Sequence, residues 1–277
     1  MAINYPVVSE IADGVYRINE FGYSSIYVVV GSKRALVIDT GAGCFRLKAA
    51  IRRLTFLPYD VVLTHGHIAQ AGGIGQFENI YAYPGEYARA MKVSRVDSIH
   101  FCASVQKDRA AGLWDDALPI DGLWDKIPSI TELYEGFVFD LGNRCVKTVR
   151  TSGHTYGSCS FIDDRSRIAF AGDACGTNMD ITECCVTSAI RGLYNLHAHG
   201  DEFDRIFPGN TGGASVTDVI SISPEVLNDC IAVCRGILTD SVTIHQGKDF
   251  CTAEFHGVKV LFREDRLYEV NEEPLPI

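Results

Sequence analysis

The sequence has no long apolar run. Its longest, such as Ile26 to Val30, fall far short of the ~20 residues that cross a bilayer, so no spanning helix is expected. It has no excess of basic charge. Lys and Arg number 25 against 35 Asp and Glu, a net charge of −10. A surface that acidic repels phosphate backbones and anionic lipid, so neither nucleic acid nor a membrane is expected as partner. The opening Met1-Ala-Ile-Asn-Tyr-Pro6 lacks a basic stretch followed by apolar residues, which predicts no secretory signal and a cytoplasmic location. Ten cysteines are present, yet none forms a Cys-x-x-Cys pair. Without a secretory signal, buried free thiols are expected rather than disulfides; the adjacent Cys184 and Cys185 could be redox-active. No Gly-x-Ser-x-Gly occurs, so a serine hydrolase is not supported. Gly72-Gly-Ile-Gly75 lacks the spacing of a dinucleotide loop. No linker, low-complexity stretch or internal repeat divides the chain.

What is present is an ordinary globular balance: 277 residues, 47% hydrophobic and 22% charged, enough for a sizeable core without a metal or disulfide to hold it. β-branched runs predict strands at 14–18, 24–39, 59–64, 80–83, 137–141, 144–151, 158–162 and 167–171, and again within 251–270. Helical spacing marks 45–54, 72–77, 180–206 and 224–238, the last with Ser223 as a cap. This interleaving predicts one α/β domain over 1–277. The segment from about 85 to 135, with Trp114 and Trp124, reads as a lid or insertion that shapes a pocket.

Several metal-capable side chains fall at strand ends. His65 and His67 follow one strand and precede a glycine-rich turn, so two imidazoles can converge on one ion. His154 sits in Thr151-Ser-Gly-His-Thr-Tyr-Gly-Ser158, also after a strand. Asp173 ends Ala169-Phe-Ala-Gly-Asp, and Asp39 ends Leu36-Val-Ile-Asp. Each alone reads equally well as a turn or core residue. A second His-x-His, His197 and His199, lies in a helical stretch where side chains two apart diverge, so a solvated face is expected. Nothing around His245 directs it to a site.

In order and spacing, Asp39-Thr-Gly, Thr64-His-Gly-His-x-x-x-x-Gly-Gly73, Gly153-His-Thr-x-Gly-Ser158, Gly172-Asp173 and Phe207-Pro-Gly209 resemble the signature of the metallo-β-lactamase superfamily over residues 14 to about 215. The resemblance implies a four-layer αββα sandwich with metals at one edge. It also implies that His65, His67 and His154 hold one metal, that Asp173 serves as ligand and catalytic carboxylate, and that Asp39 stands behind the ligands. The departures are coherent. The family's His-x-His-x-Asp-His carries Ala69 and Gln70 at its last two positions, and the late Pro-Gly-His carries Asn210. All three losses fall on the second metal. Alanine cannot ligate and amides are poor transition-metal ligands, whereas three imidazoles suffice for one catalytic-type zinc, so a two-metal mechanism is not expected. The substitutions fit a natural single-metal or degenerate site, with a site altered on purpose as the alternative.

Three functions are consistent with this. The first is a zinc-dependent hydrolase (iron or manganese are alternatives) acting on a small ester, thioester, lactone or amide. The second is a mononuclear iron oxidoreductase using two histidines and Asp173. The third is a non-catalytic binding protein built on the old pocket. In each case the partner is a small molecule, and fold does not fix which one.

Overall fold

The computed structural model describes residues 6–92, 100–101, 127–210 and 221–269. Its contacts divide the chain into two compact units, Met1–Lys147 with Gly209–Ile220, and Thr148–Pro208 with Ser221–Ile277.

In the first unit, β1 (Val7–Ala12), β2 (Val15–Glu20), β3 (Ser24–Val30), β4 (Ala35–Ile38), β5 (Tyr59–Val62), β6 (Asn79–Ala82) and β7 (Ser129–Glu132) form a sheet in chain order. The first four strands pair antiparallel and the last four parallel. The chemistry of the connections explains the change. Gly31-Ser-Lys-Arg34 is a tight turn and permits a hairpin, while each parallel pair needs a crossover. Those crossovers run through α1 (Leu47–Leu54), through α2 (Ile68–Ala71) with the 3₁₀ turn Ile74–Gln76, and through α3 (Glu86–Ala90) with the residues after it. Every residue of β4 and all but the last of β3 are buried, as expected of strands covered on both faces. On α1, Leu47 and Ile51 stand four apart and face the core with Ile18, Val28, Val37 and Ile80. Arg52 and Arg53 occupy its last turn, where cations suit the helix dipole.

The short strand β8 (Val138–Asp140) pairs antiparallel with the start of β9 (Cys145–Arg150), and the chain enters the second unit within β9. There β9 neighbours β10 (Cys159–Asp163), then β11 (Ile168–Gly172), then β13 (Arg205–Pro208). All five residues of both β10 and β11 are buried. A second sheet has the order β12 (Asn178–Asp180), β16 (Val258–Phe262), β15 (Cys251–Phe255), β14 (Ile244–Gln246). Two helices, α4 (Val186–His197) and α5 (Glu225–Leu238), pack on one core with both sheets, through residues such as Leu193, Leu196, Val233 and Ile237 against Ala169, Ile206, Val260 and Phe262.

Gly192 lets α4 lie directly on the turn after β9: a Cβ there would run into the Ser152 carbonyl oxygen. That turn carries His154. Gly192→Ala is therefore expected to force α4 off the turn at a cost of about 1–3 kcal/mol, as in other overpacked contacts, read as a lowered midpoint in thermal unfolding. An unchanged midpoint would show that the turn can retreat freely.

The sequence-based elements need three corrections. The helix expected over 72–77 begins instead at Ile68, because His67 is extended and its carbonyl accepts from the amides of Gln70 (3.0 Å) and Ala71 (2.8 Å); Gly72 ends it. The helix expected over 180–206 is confined to 186–197. Residues 178–180 pair parallel with β16, and the β-branched and aromatic Arg205-Ile-Phe-Pro208 pairs parallel with β11. The Ser223 hydroxyl does accept from the Glu225 amide, at 3.4 Å, but Pro224 is the capping position of α5. Cysteine also departs from expectation at one place. Eight are free thiols, seven of them buried, but Cys44 is disulfide-bonded. Trp114, Trp124 and most of the expected lid lie outside the described residues.

Candidate metal centre

Each unit carries its own group of candidate ligands, a half-site. The first starts from Asp39, at the end of β4. Asp39 adopts a positive φ of 64°, uncommon for a residue with a side chain. Its carboxylate accepts from the Thr64 amide at 2.7 Å and from the Thr64 hydroxyl at 2.8 Å. Having given its only proton to Asp39, the Thr64 hydroxyl can only accept from His65 Nδ1, which lies 3.2 Å away. That fixes the tautomer: Nδ1 carries the proton, and Nε2 carries the lone pair a metal needs. Asp39 thus orients a histidine through a threonine.

His67 follows two residues on, its ring nearly perpendicular to that of His65 (89°) with centroids 4.9 Å apart. Gly66 between them is required, because a Cβ would collide with the Glu86 carbonyl oxygen. The Glu86 carboxylate accepts from the Gly66 amide at 2.8 Å, so α3 clamps the loop. From the same helix the Arg89 guanidinium donates to His67 Nε2 at 3.4 Å and stands 3.5 Å from Glu86.

The three residues that depart from the superfamily signature gather in this unit. Ala69 and Gln70 are buried on α2. The Ala69 carbonyl accepts from the Ser24 hydroxyl at 2.6 Å, and the Gln70 carbonyl from the Thr40 amide at 2.7 Å. Asn210 forms an antiparallel bridge to Ser24, with the Ser25 amide donating to the Gly209 carbonyl at 2.8 Å. The backbone at these positions is therefore tied to β3 and to Thr40 by hydrogen bonds.

The second half-site joins His154 and Asp173. His154 Nδ1 donates to the Asp180 carbonyl at 2.7 Å, which again leaves Nε2 with the lone pair. The Asp180 carboxylate in turn accepts from the Thr182 amide (3.0 Å) and hydroxyl (2.7 Å), holding the loop that supplies that carbonyl. His154 Nε2 lies 3.8 Å from Asp173 Oδ2. That is too long for a hydrogen bond and close to the separation of about 3.3 Å between two ligands on one tetrahedral zinc. His65 and His154 thus fit a metal by the chemistry of their donors, imidazoles whose engaged Nδ1 leaves Nε2 to ligate, and a carboxylate stands beside His154.

The remaining histidines are engaged elsewhere. His197 ends α4, and His199 beyond it pairs with Glu202 at 2.7 Å. His245 lies on β14 and is exposed. Sequence reasoning missed Thr64, Glu86, Arg89 and Asp180. Only Thr64 carried a signal, by its place before His65.

The profile of the Metallo-beta-lactamase superfamily matches residues 19–201. The chain belongs to that superfamily. It has the superfamily's α/β sandwich fold, which solved members share at low identity. A metallo-beta-lactamase from Pontibacter korlensis aligns over 83% of this chain and 99% of its own at 14% identity, with a TM-score of 0.59. The superfamily protein ST1585 from Sulfolobus tokodaii aligns over 86% and 91% at 17% identity, with a TM-score of 0.55. In sequence, the chain is 27% identical over 183 residues to the acyl-coenzyme A thioesterase MBLAC2 of Gallus gallus. It is 26% identical over 196 residues to the protein of that name from Bos taurus. The matched stretch is 59% of this chain and 63% of the chicken protein, so the chain spans less than two thirds of that relative's length. Membership of the superfamily implies a metal cofactor. No described helix is long and apolar enough to cross a membrane.

Proposed function

We propose that the chain is a hydrolase of small thioesters, acyl-coenzyme A among them, that uses one metal ion, zinc in the first instance. The observation that carries this reading is the paired tautomer lock. His65 and His154 are each fixed, by Thr64 and by the Asp180 carbonyl, with Nε2 as the ligating nitrogen. A histidine serving only as core filler has no need of such a lock. The similarity to proteins named acyl-coenzyme A thioesterases supports the choice of substrate class. His65, His67 and His154 would hold the ion, and Asp173 would complete the set or orient the attacking water.

When bound, the metal supplies Lewis-acid chemistry, acidifying water and polarising a carbonyl oxygen. The chain's own residues do the rest. Asp39, Thr64 and the 180–182 loop hold the imidazoles of His65 and His154 aimed. Asp173, a carboxylate beside His154, can accept a proton from the attacking water. Arg89, a permanent cation beside His67, favours negative charge developing there. Thioester hydrolysis gives a carboxylate and a thiol, and it is tested by incubating the purified chain with acyl-coenzyme A of graded chain length and detecting free coenzyme A by mass spectrometry. Metal-dependent release supports the reading. Release that survives chelation, or none with zinc-loaded protein, contradicts it. Iron rather than zinc in the purified protein would favour the oxidoreductase reading.

The hydrogen-bonded backbone at Ala69, Gln70 and Asn210 gives a further expectation. Ala69→Asp, Gln70→His and Asn210→His together are expected to raise metal content from about one to about two ions per chain, since three ligands return to a backbone that already holds its place. Metal analysis of the folded triple variant beside the parent decides this. No gain would mean that the pocket has been reshaped beyond its side chains.

A further inference from the structure

Close behind Asp173 lies a pair of thiols that the hydrolytic reading leaves unused. Cys175 is two residues past Asp173, on the irregular loop between β11 and β12. Cys230 faces inward from α5. Their sulfurs are 3.8 Å apart, at van der Waals contact, and both side chains are buried, at 2% and 0% exposure. A third thiol, Cys234, stands one turn along α5, also buried. Two of these sulfurs meet in a geometry that one short movement would bond.

We propose that Cys175 and Cys230 are an oxidation site, forming a reversible disulfide when a hydroperoxide reaches them. The chemistry balances with hydrogen peroxide as oxidant. The Cys230 sulfur attacks one peroxide oxygen, the O–O bond breaks, and water leaves, giving a sulfenic acid on Cys230. The Cys175 sulfur then attacks the Cys230 sulfur, the S–O bond breaks, and a second water leaves with the Cys175 proton. Two thiols and one peroxide become one disulfide and two waters. Cys230 is assigned the first step because the Cys175 S–H, directed at its sulfur, holds the Cys230 thiol below its ordinary pKa against the opposing effect of burial. Burial favours a small peroxide over a bulky disulfide reagent.

Closing from 3.8 Å to about 2.05 Å draws the sulfurs together by roughly 1.8 Å. A 14-residue helix resists that movement more than the 173–177 loop, which is tied by the Ala174 amide to the Ala171 carbonyl and by the Lys259 amide to the Thr177 carbonyl. The loop from 173 to 177 therefore moves toward α5 and takes Asp173 with it. This consequence for the metal rests on the proposed role of Asp173; the disulfide itself does not.

The test uses the full chain, reduced, exposed to hydrogen peroxide, then denatured in alkylating reagent and mapped by mass spectrometry. The expected result is a linked Cys175–Cys230 peptide pair, the loss of two alkylated thiols, and reversal by dithiothreitol. Folded Cys230→Ser and Cys230→Val proteins should lose neither thiol as a disulfide. Recovery of Cys175 and Cys230 as free thiols while other cysteines oxidise would overturn the proposal, as would linkage of either to Cys234. Zinc retention against a chelator should weaken about tenfold in the linked protein, the scale seen when groups orienting a ligand are lost. Unchanged retention beside a mapped disulfide would leave the oxidation site standing and remove its coupling to Asp173.

Discussion

Replacing His154 with alanine is expected to lower kcat/KM for acyl-coenzyme A hydrolysis on the order of a thousandfold, with the protein still folded. The metal's contribution to water activation and carbonyl polarisation is several kcal/mol, and about 4 kcal/mol is a factor of a thousand at 25 °C. His154 is one of the three imidazoles proposed to hold the ion, and alanine supplies no donor in its place. The side chain lies at a turn and is not part of the hydrophobic core, so its removal should cost little stability. His65→Ala should match it in activity. His199→Ala, which breaks the pair with Glu202 away from the proposed ligands, should leave activity within about twofold, as surface substitutions do. Steady-state kinetics of the three variants, with circular dichroism to verify folding, check this. Equal activity in His154→Ala and the parent would show that the half-sites do not share one metal.

Stability should fall as pH rises from about 4.5 to 7, and Glu20 should be the cause. Glu20 ends β2, is fully buried, and has its carboxyl pKa pushed up to about 7 by desolvation, even though the amides of Ala42 (2.6 Å) and Cys44 (3.0 Å) donate to it. A carboxyl whose folded pKa exceeds its unfolded value binds its proton more tightly when folded. Its stabilising contribution is thus complete below the unfolded pKa and disappears as pH passes the folded one. This shift corresponds to on the order of 3 kcal/mol across that window. Glu20→Gln should flatten the curve, matching the parent near pH 4.5 and exceeding its stability at pH 8. Urea unfolding of both proteins across that range measures the slope difference. Parallel curves would mean that the two backbone donors fully offset the burial. The effect bears on function because the 41–44 loop that Glu20 holds follows directly on Asp39 and Thr40.

The strands and the ligands were the legible part. Runs such as Ser25-Ile-Tyr-Val-Val-Val30 and Arg34-Ala-Leu-Val-Ile38 announce buried strands because β-branched residues have few other places to go. The motif positions His65, His67, His154 and Asp173 are local in sequence, so their placement at strand ends could be read directly. What could not be read depends on distant partners. Asp180 supports His154 through a backbone carbonyl, which any residue type would provide. Glu86 and Arg89 reach the His-x-His loop only because a short helix happens to lie on Gly66. The unusual state of Glu20 follows from burial, which no neighbouring residue in the sequence signals. The helix over 180–206 was overextended because its flanks owe their strand structure to pairing with β16 and β11, which no local propensity records.

The most direct test of a single-metal thioester hydrolase is a titration of metal-free protein with zinc, following acyl-coenzyme A hydrolysis after each addition. Activity should rise in proportion to zinc and stop rising at one equivalent per chain. A rise that continues to two equivalents, or full activity before any zinc is added, would contradict it.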